Sequence, residues 1–214
     1  MSLLKPGLSL YDRGMAGRVL GKHFIDVIGQ LLAHSEADAA SIAREQAAID
    51  AIDPESERPW EEFTATLART AASVQPHTLV EIGRRIVAAA KPEFEAWGFD
   101  SAEKVLADWD APFGASIIDA PEEQSVVTIK YELGHAYLRA GTVLPIALIE
   151  GYVRGVIAMF GAELVALDCH RVIMDGRPFH LFEVRWRSSP VPRMIARQKT
   201  DPMVLGIRPP QKVA

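Results

Sequence analysis

Few side chains in this chain of 214 residues are of kinds that do chemistry, and their spacing sorts them. The single cysteine, Cys169, is followed by His170 and faces His180 across Asp175-Gly176. That dipeptide suits a two-residue type I′ turn, where both central positions need positive φ. The resulting register sets Cys169 opposite Phe182 and Arg171 opposite His180, so Cys169 and His180 become diagonal neighbours on one face. A thiol and an imidazole supply two metal ligands, short of the three or four of a zinc site. Hydrolysis by a cysteine nucleophile further needs an orienting group and an oxyanion hole, and the sequence offers neither. The expectation is a buried thiol and a strand histidine, with no metal.

A second cluster, Tyr131, His135 and Tyr137, has the chemistry to orient a polar ligand group beside an apolar pocket; the plainer alternative is a loop histidine. The densest aromatic run is Trp97, Phe99, Trp109 and Phe113, read as core or as a ligand-stacking wall. Carboxylate pairs Glu61-Glu62 and Glu93/Glu95 decorate helices, and Glu122-Glu123 sit in a turn as solvated charge. None forms an acid/base dyad. Gly14-x-x-Gly17 lacks the preceding strand of a nucleotide-binding loop. Without a catalytic constellation, the residues favour a non-catalytic domain.

A net charge of −5 offers no general attraction for nucleic acid or an anionic membrane. With 49% hydrophobic residues the chain can bury a substantial core. We expect one α+β domain over residues 1–187, with a helical subregion at 1–75, and then a Pro-rich basic arm at 188–214. One cysteine excludes an internal disulfide framework, and the first residues hold no apolar stretch long enough for a secretory signal, which favours the cytoplasm.

The elements that position these residues follow from periodicity. Apolar spacing predicts helices over about 10–34, 35–52, 59–74 and 77–97, the last kinked or ended at Pro92, with a charged, core-free break at DPESERP. SIID and SVVTIKYEL read as strands, and with the hairpin at 164–186 they give one antiparallel sheet of about four. Pro178 suits an edge or a strand start. Between them runs TVLPIALIEGYVRGVIAMFGAE, a buried helix over 141–161 capped by Thr142 and ended by Gly161. Glu150 and Arg154, spaced to pair, argue against a membrane span. Gly151 and Gly155 share a face and invite close approach by a sheet or second helix, a pocket wall or a dimer seam.

A helical first half, an IxG(R)-type helix at Glu81–Arg84, strands, the GYVRGVIAMFGAEL helix and the DGRPFHLFEVRW hairpin together resemble one superfamily. Its branches are heme nitric-oxide-binding domains, 4-vinyl-reductase-type sensor domains and TRAPP transport subunits. The resemblance implies an α+β fold with a small sheet flanked by helices, often dimeric, with an apolar cavity between sheet and helices. The heme branch uses a proximal histidine on a helix before a Tyr-x-Ser-x-Arg motif. The matching run here is Tyr131-Glu-Leu-Gly-His135, and no histidine lies between His77 and His135, so the expected proximal ligand is absent. The zinc-bearing 4-vinyl-reductase pattern falls on Cys169, Val172 and His180, and valine binds no metal.

The expected function is therefore a cytoplasmic, homodimeric sensory domain holding a small, mostly apolar ligand between the 141–161 helix and the sheet. Its pocket is drawn from Tyr131, His135, Tyr152, Val156, Trp97 and Trp109, and it signals through a partner protein. The alternatives are a heme-based gas sensor with non-standard ligation, tested at His135, and a ligand-free scaffold.

Overall fold

The computed structural model describes residues 17–121, 124–141 and 143–188. In chain order its elements are β1 (Arg18–Leu20), α1 (Gly21–Ala33), α2 (Ala39–Asp50), β2 (Glu57–Pro59), α3 (Trp60–Ala71), α4 (Pro76–Ala89) and α5 (Lys91–Ala96). Then come α6 (Ala102–Ala107), α7 (Asp110–Gly114), β3 (Ile117–Ile118), β4 (Val126–Glu132), β5 (His135–Gly141), α8 (Ile146–Met159), β6 (Glu163–Met174) and β7 (Arg177–Arg187). The fold is α+β, with a helical N-terminal half and antiparallel sheets flanked by helices.

The main sheet has the order β4-β5-β7-β6. Its hairpin follows the expected register, with Cys169 opposite Phe182 and Arg171 opposite His180. Asp175 and Gly176 take φ of 50° and 75°, as a type I′ turn demands. Pro178 lies one residue outside the β5–β7 ladder, which ends at Gly141 and Phe179, so its missing N–H leaves no ladder bond unmade.

The sheet departs from expectation in its membership. The SIID segment pairs with β1, not with the main sheet, in a three-stranded sheet of order β2-β1-β3. The fourth main-sheet strand is β5, where Ala136, Leu138 and Ala140 point into the core and His135, Tyr137 and Arg139 alternate outward. His135 is thus a strand residue. It follows the tight turn at Leu133-Gly134, in which Gly134 takes φ 76°.

The first helix begins at Gly21, because residues 18–20 pair with β2 and β3; residues 10–16 lie outside the described residues. At Gly21 a Cβ would lie 2.2 Å from the Asp53 carbonyl oxygen, so glycine lets the two segments touch. The DPESERP stretch accordingly holds β2, whose Glu57 pairs with Arg18. The predicted 77–97 helix breaks at Ala90, just before Pro92, into α4 and α5.

α8 is shorter than expected, starting after Pro145, while Thr142 lies outside the described residues. It buries Leu148, Ile149, Tyr152, Val153, Val156 and Ile157. At roughly 1.5–3 kcal/mol for each large apolar side chain, this helix organises the core. Its glycine face packs on α4. A Cβ on Gly151 would sit 2.3 Å from the Val80 carbonyl oxygen, and one on Gly83 would sit 2.5 Å from that of Leu148. The two glycine motifs of the resemblance therefore touch each other. Gly155 faces Arg84 and Val87 in the same seam, which makes the seam a helix contact and not a pocket wall. Glu150 and Arg154 pair at 2.7 Å on the exposed side. No helix among the described residues is long and apolar enough to cross a membrane.

Candidate ligand-binding site

Beside the glycine seam, another face of α8 stops short of its neighbours and leaves a cavity of about 340 Å³. One wall comes from α1 and α3, through His23, Trp60, Phe63 and Leu67. The other comes from α7, β4 and α8, through Trp109, Phe113, Val126, Leu148 and Tyr152. This volume lies at the low end of the ~300–1,000 Å³ of small-molecule sites, and the lining has their mainly apolar, aromatic character.

The rings are ordered. Trp109 stacks on Phe113 at 4.6 Å between centroids, and Phe113 on Tyr152 at 5.9 Å. Trp109 is held by the turn between α6 and α7, where its backbone N–H donates to Thr128 Oγ1 at 3.3 Å while that hydroxyl donates to the Leu106 carbonyl at 3.0 Å. On the other wall Phe63 packs against Trp60 at 5.5 Å and His23 at 5.8 Å. Trp60 Nε1 is satisfied by Gln124 Oε1 at 2.8 Å.

The polar side chains of the wall are His23, Asp110, Asp119, Ser125 and Tyr152, and among the described residues the imidazole of His23 and the hydroxyl of Tyr152 make no hydrogen bond to protein. His23 is only partly buried, because it borders the cavity and also a second groove on its other side. Burial alone lowers its pKa to about 4, so it is neutral at ordinary pH. Burial likewise pushes the Tyr152 phenol up. At the mouth stand Asp110 and Asp119. Arg18 approaches Asp119 at 3.4 Å and is shared with Glu57.

The structure distributes the six expected pocket residues among several places. Trp109 and Tyr152 line the cavity. Val156 is fully buried in the core. Tyr131 packs against Trp186 at 6.2 Å on the core face of the sheet. His135 lies on the opposite face, its Nε2 3.1 Å from Glu183 Oε1 and its ring 4.8 Å from Tyr137. Trp97 is 46% exposed and borders the second groove, of about 330 Å³, together with Lys22, Asp26 and Glu93. There Lys22 pairs with Glu93 at 2.6 Å, and burial raises the Asp26 carboxyl.

His23, Trp60 and Phe63 were not among the expected site residues. The signal for His23 was weak: it stands beside Phe24 at the start of α1, one position off the apolar stripe that sequence periodicity picks out. Cys169 is exposed and not the buried thiol expected, because β6 is the edge strand of the main sheet; partial desolvation and then the charge of Glu150 raise its thiol pKa. No group of three or more metal-ligating side chains gathers among the described residues, and Glu122 and Glu123 lie outside them.

No protein-family model and no curated protein matches this sequence. Solved structures do. The Cs H-NOX protein carrying 4-cyano-L-phenylalanine at site 5 matches with TM-score 0.52 and 12% identity, over 80% of this chain and 98% of its own. A leucine-for-phenylalanine variant of Tt H-NOX matches with TM-score 0.53 and 11% identity, over 78% and 95%. The fold is that of H-NOX domains. The likeness is one of fold, to H-NOX structures, and the 4-vinyl-reductase and TRAPP branches of the resemblance are not supported.

Heme is the group that the H-NOX fold implies, and it makes two demands on a site: an axial ligand for iron and cations for its propionates. The neutral imidazole of His23 on the cavity wall is of the right chemistry for the first. The second is not met at the mouth, where carboxylates stand and Arg18 is already held by two of them.

Proposed function

We propose that this chain is a sensory ligand-binding domain of H-NOX fold, whose ligand is a small, mostly apolar molecule held between the N-terminal helices and α8. The observation that carries this reading is the ring-lined cavity itself, bounded by two separate sets of elements and bordered by the imidazole of His23 and the hydroxyl of Tyr152. A homodimer reporting to a partner protein belongs to the same proposal. A non-catalytic role belongs to it as well.

A second reading is a heme-based gas sensor with His23 as the axial ligand, in place of the missing helix histidine. Two observations favour it: the fold neighbours named as H-NOX, and the neutral imidazole on the wall. His135 has no part in it, because its ring faces Glu183 on the far side of the sheet.

Native mass spectrometry of the purified protein, beside its denatured mass and absorption spectrum, tests both readings. A non-covalent adduct without a Soret band supports the first. A heme-mass adduct whose Soret band is lost in His23→Ala and kept in His135→Ala supports the second. A colourless protein without adduct, which also takes up no added hemin or apolar probe, overturns both.

A further inference from the structure

The cavity specifies the kind of molecule it would take. His23 and Tyr152 stand on the cavity wall without a protein hydrogen-bond partner among the described residues, so both remain available to a polar group on a ligand. Ring stacking along Trp109, Phe113 and Tyr152 favours a flat, unsaturated body. The carboxylates at the mouth, beside which Arg18 is already paired with both Asp119 and Glu57, disfavour an anion.

We propose that the cavity's ligand is a neutral aromatic or polyene molecule bearing a hydroxyl or carbonyl group that hydrogen-bonds the imidazole of His23. This rests on the reading of the cavity as a ligand site. It differs from coordination of a metal by the same ring, because the bond needs only a donor or acceptor on the ligand. A neutral imidazole offers one of each, so alcohols and carbonyls are both served. The low pKa of His23 keeps it in that form down to about pH 4. Size fits as well: a dry apolar cavity of about 150 Å³ already holds benzene, and this one, at about 340 Å³, has room for a fused bicyclic ring.

The test uses three probes on one skeleton, naphthalene, 2-naphthol and 2-naphthoate, measured by equilibrium dialysis near neutral pH. For the wild-type chain, 2-naphthol should bind about tenfold more tightly than naphthalene, the value of one hydrogen bond, and 2-naphthoate more weakly than either. In His23→Leu the naphthol-to-naphthalene ratio should fall to about one, and in His23→Gln, which keeps a donor and an acceptor, part of it should return. Circular dichroism checks that both variants fold. Naphthalene binding with no advantage for 2-naphthol, or an advantage that survives in His23→Leu, overturns the assignment of His23 while leaving the cavity as a site. Binding of none of the three probes overturns the cavity reading, and this proposal with it.

Discussion

Two faces of α8 have opposite characters. Along one, Gly151 and Gly155 press against α4 so closely that no Cβ fits at Gly151; along a neighbouring face, Leu148, Ile149 and Tyr152 border open space. Close packing of backbone on backbone fixes where the helix sits. With its position set, the aromatic rings opposite do not have to meet it, and a cavity remains. The seam is thus the scaffold and the cavity the adaptable part, the usual division between rigid support and site.

The sharpest way to break this comparison is at the seam. Gly151→Leu would force side-chain atoms into the Val80 carbonyl, only 2.3 Å from the new Cβ, and helix backbone cannot yield as a flexible side chain does. We expect a loss of about 4 kcal/mol or more, read as failure to fold or a collapsed urea midpoint. A variant of near wild-type stability would mean that α4 and α8 are not held together by this contact.

The next largest effect belongs to the cavity and depends on pH. The folded-state pKa of His23, about 4, lies below the ordinary 6.5, so the folded state resists the proton. Above pH 6.5 both states are neutral and the His23 titration contributes nothing to stability. As pH falls through 6.5 the unfolded chain binds the proton first, and stability drops until about pH 4, where the loss levels off near 3 kcal/mol. Urea unfolding at a series of pH values, in wild type and in His23→Leu, isolates this contribution from that of the carboxylates. The difference between the two curves should shrink in favour of the variant as pH falls, and parallel curves would place the imidazole in contact with solvent.

The contrast also explains what could be read from the sequence. The seam was legible because its glycines sit at helical spacing in two separate motifs, Gly83 in one and Gly151 with Gly155 in the other, although only the structure shows that they meet. The hairpin was legible because Asp175-Gly176 dictates a turn and a turn dictates a register. The cavity was not, because a cavity is a failure of distant elements to touch. His23, Trp60 and Phe63, which the expected pocket lacked, stand far in the chain from Trp109 and Tyr152, which it included, and each alone reads as core. β5 was missed because HAYLRAG carries small inward residues, so that its period-two alternation was faint. Residues near Tyr131 were drawn into the expected pocket by their sequence proximity, whereas the turn at Gly134 sends His135 to the opposite face from Tyr131.

Gly114 lets the cavity be closed without disturbing the seam. It ends α7 on the cavity border, and a Cβ there meets nothing within 4 Å. Gly114→Phe should therefore change stability by no more than about 1 kcal/mol while placing a ring where the ligand would lie. Naphthalene binding by equilibrium dialysis should weaken by tenfold or more, about 1.4 kcal/mol. Undiminished binding in a folded variant would move the ligand out of this cavity.

The smallest effect sharpens the comparison from the side of a glycine that makes no contact. Gly29 lies within α1, and a Cβ there, too, would meet nothing within 4 Å. At such a site glycine only adds conformational freedom to the unfolded chain and lowers helix propensity. Gly29→Ala should raise stability by about 0.5–1 kcal/mol, a rise of a few degrees in thermal midpoint for a chain of this size. The sign is what matters. Glycine to alanine at Gly83, in the seam, should destabilise because its Cβ would lie 2.5 Å from the Leu148 carbonyl oxygen. If both substitutions shift stability in the same direction, helix propensity outweighs close approach, and the glycines of α4 and α8 lose their claim to set the position of the helix that borders the cavity.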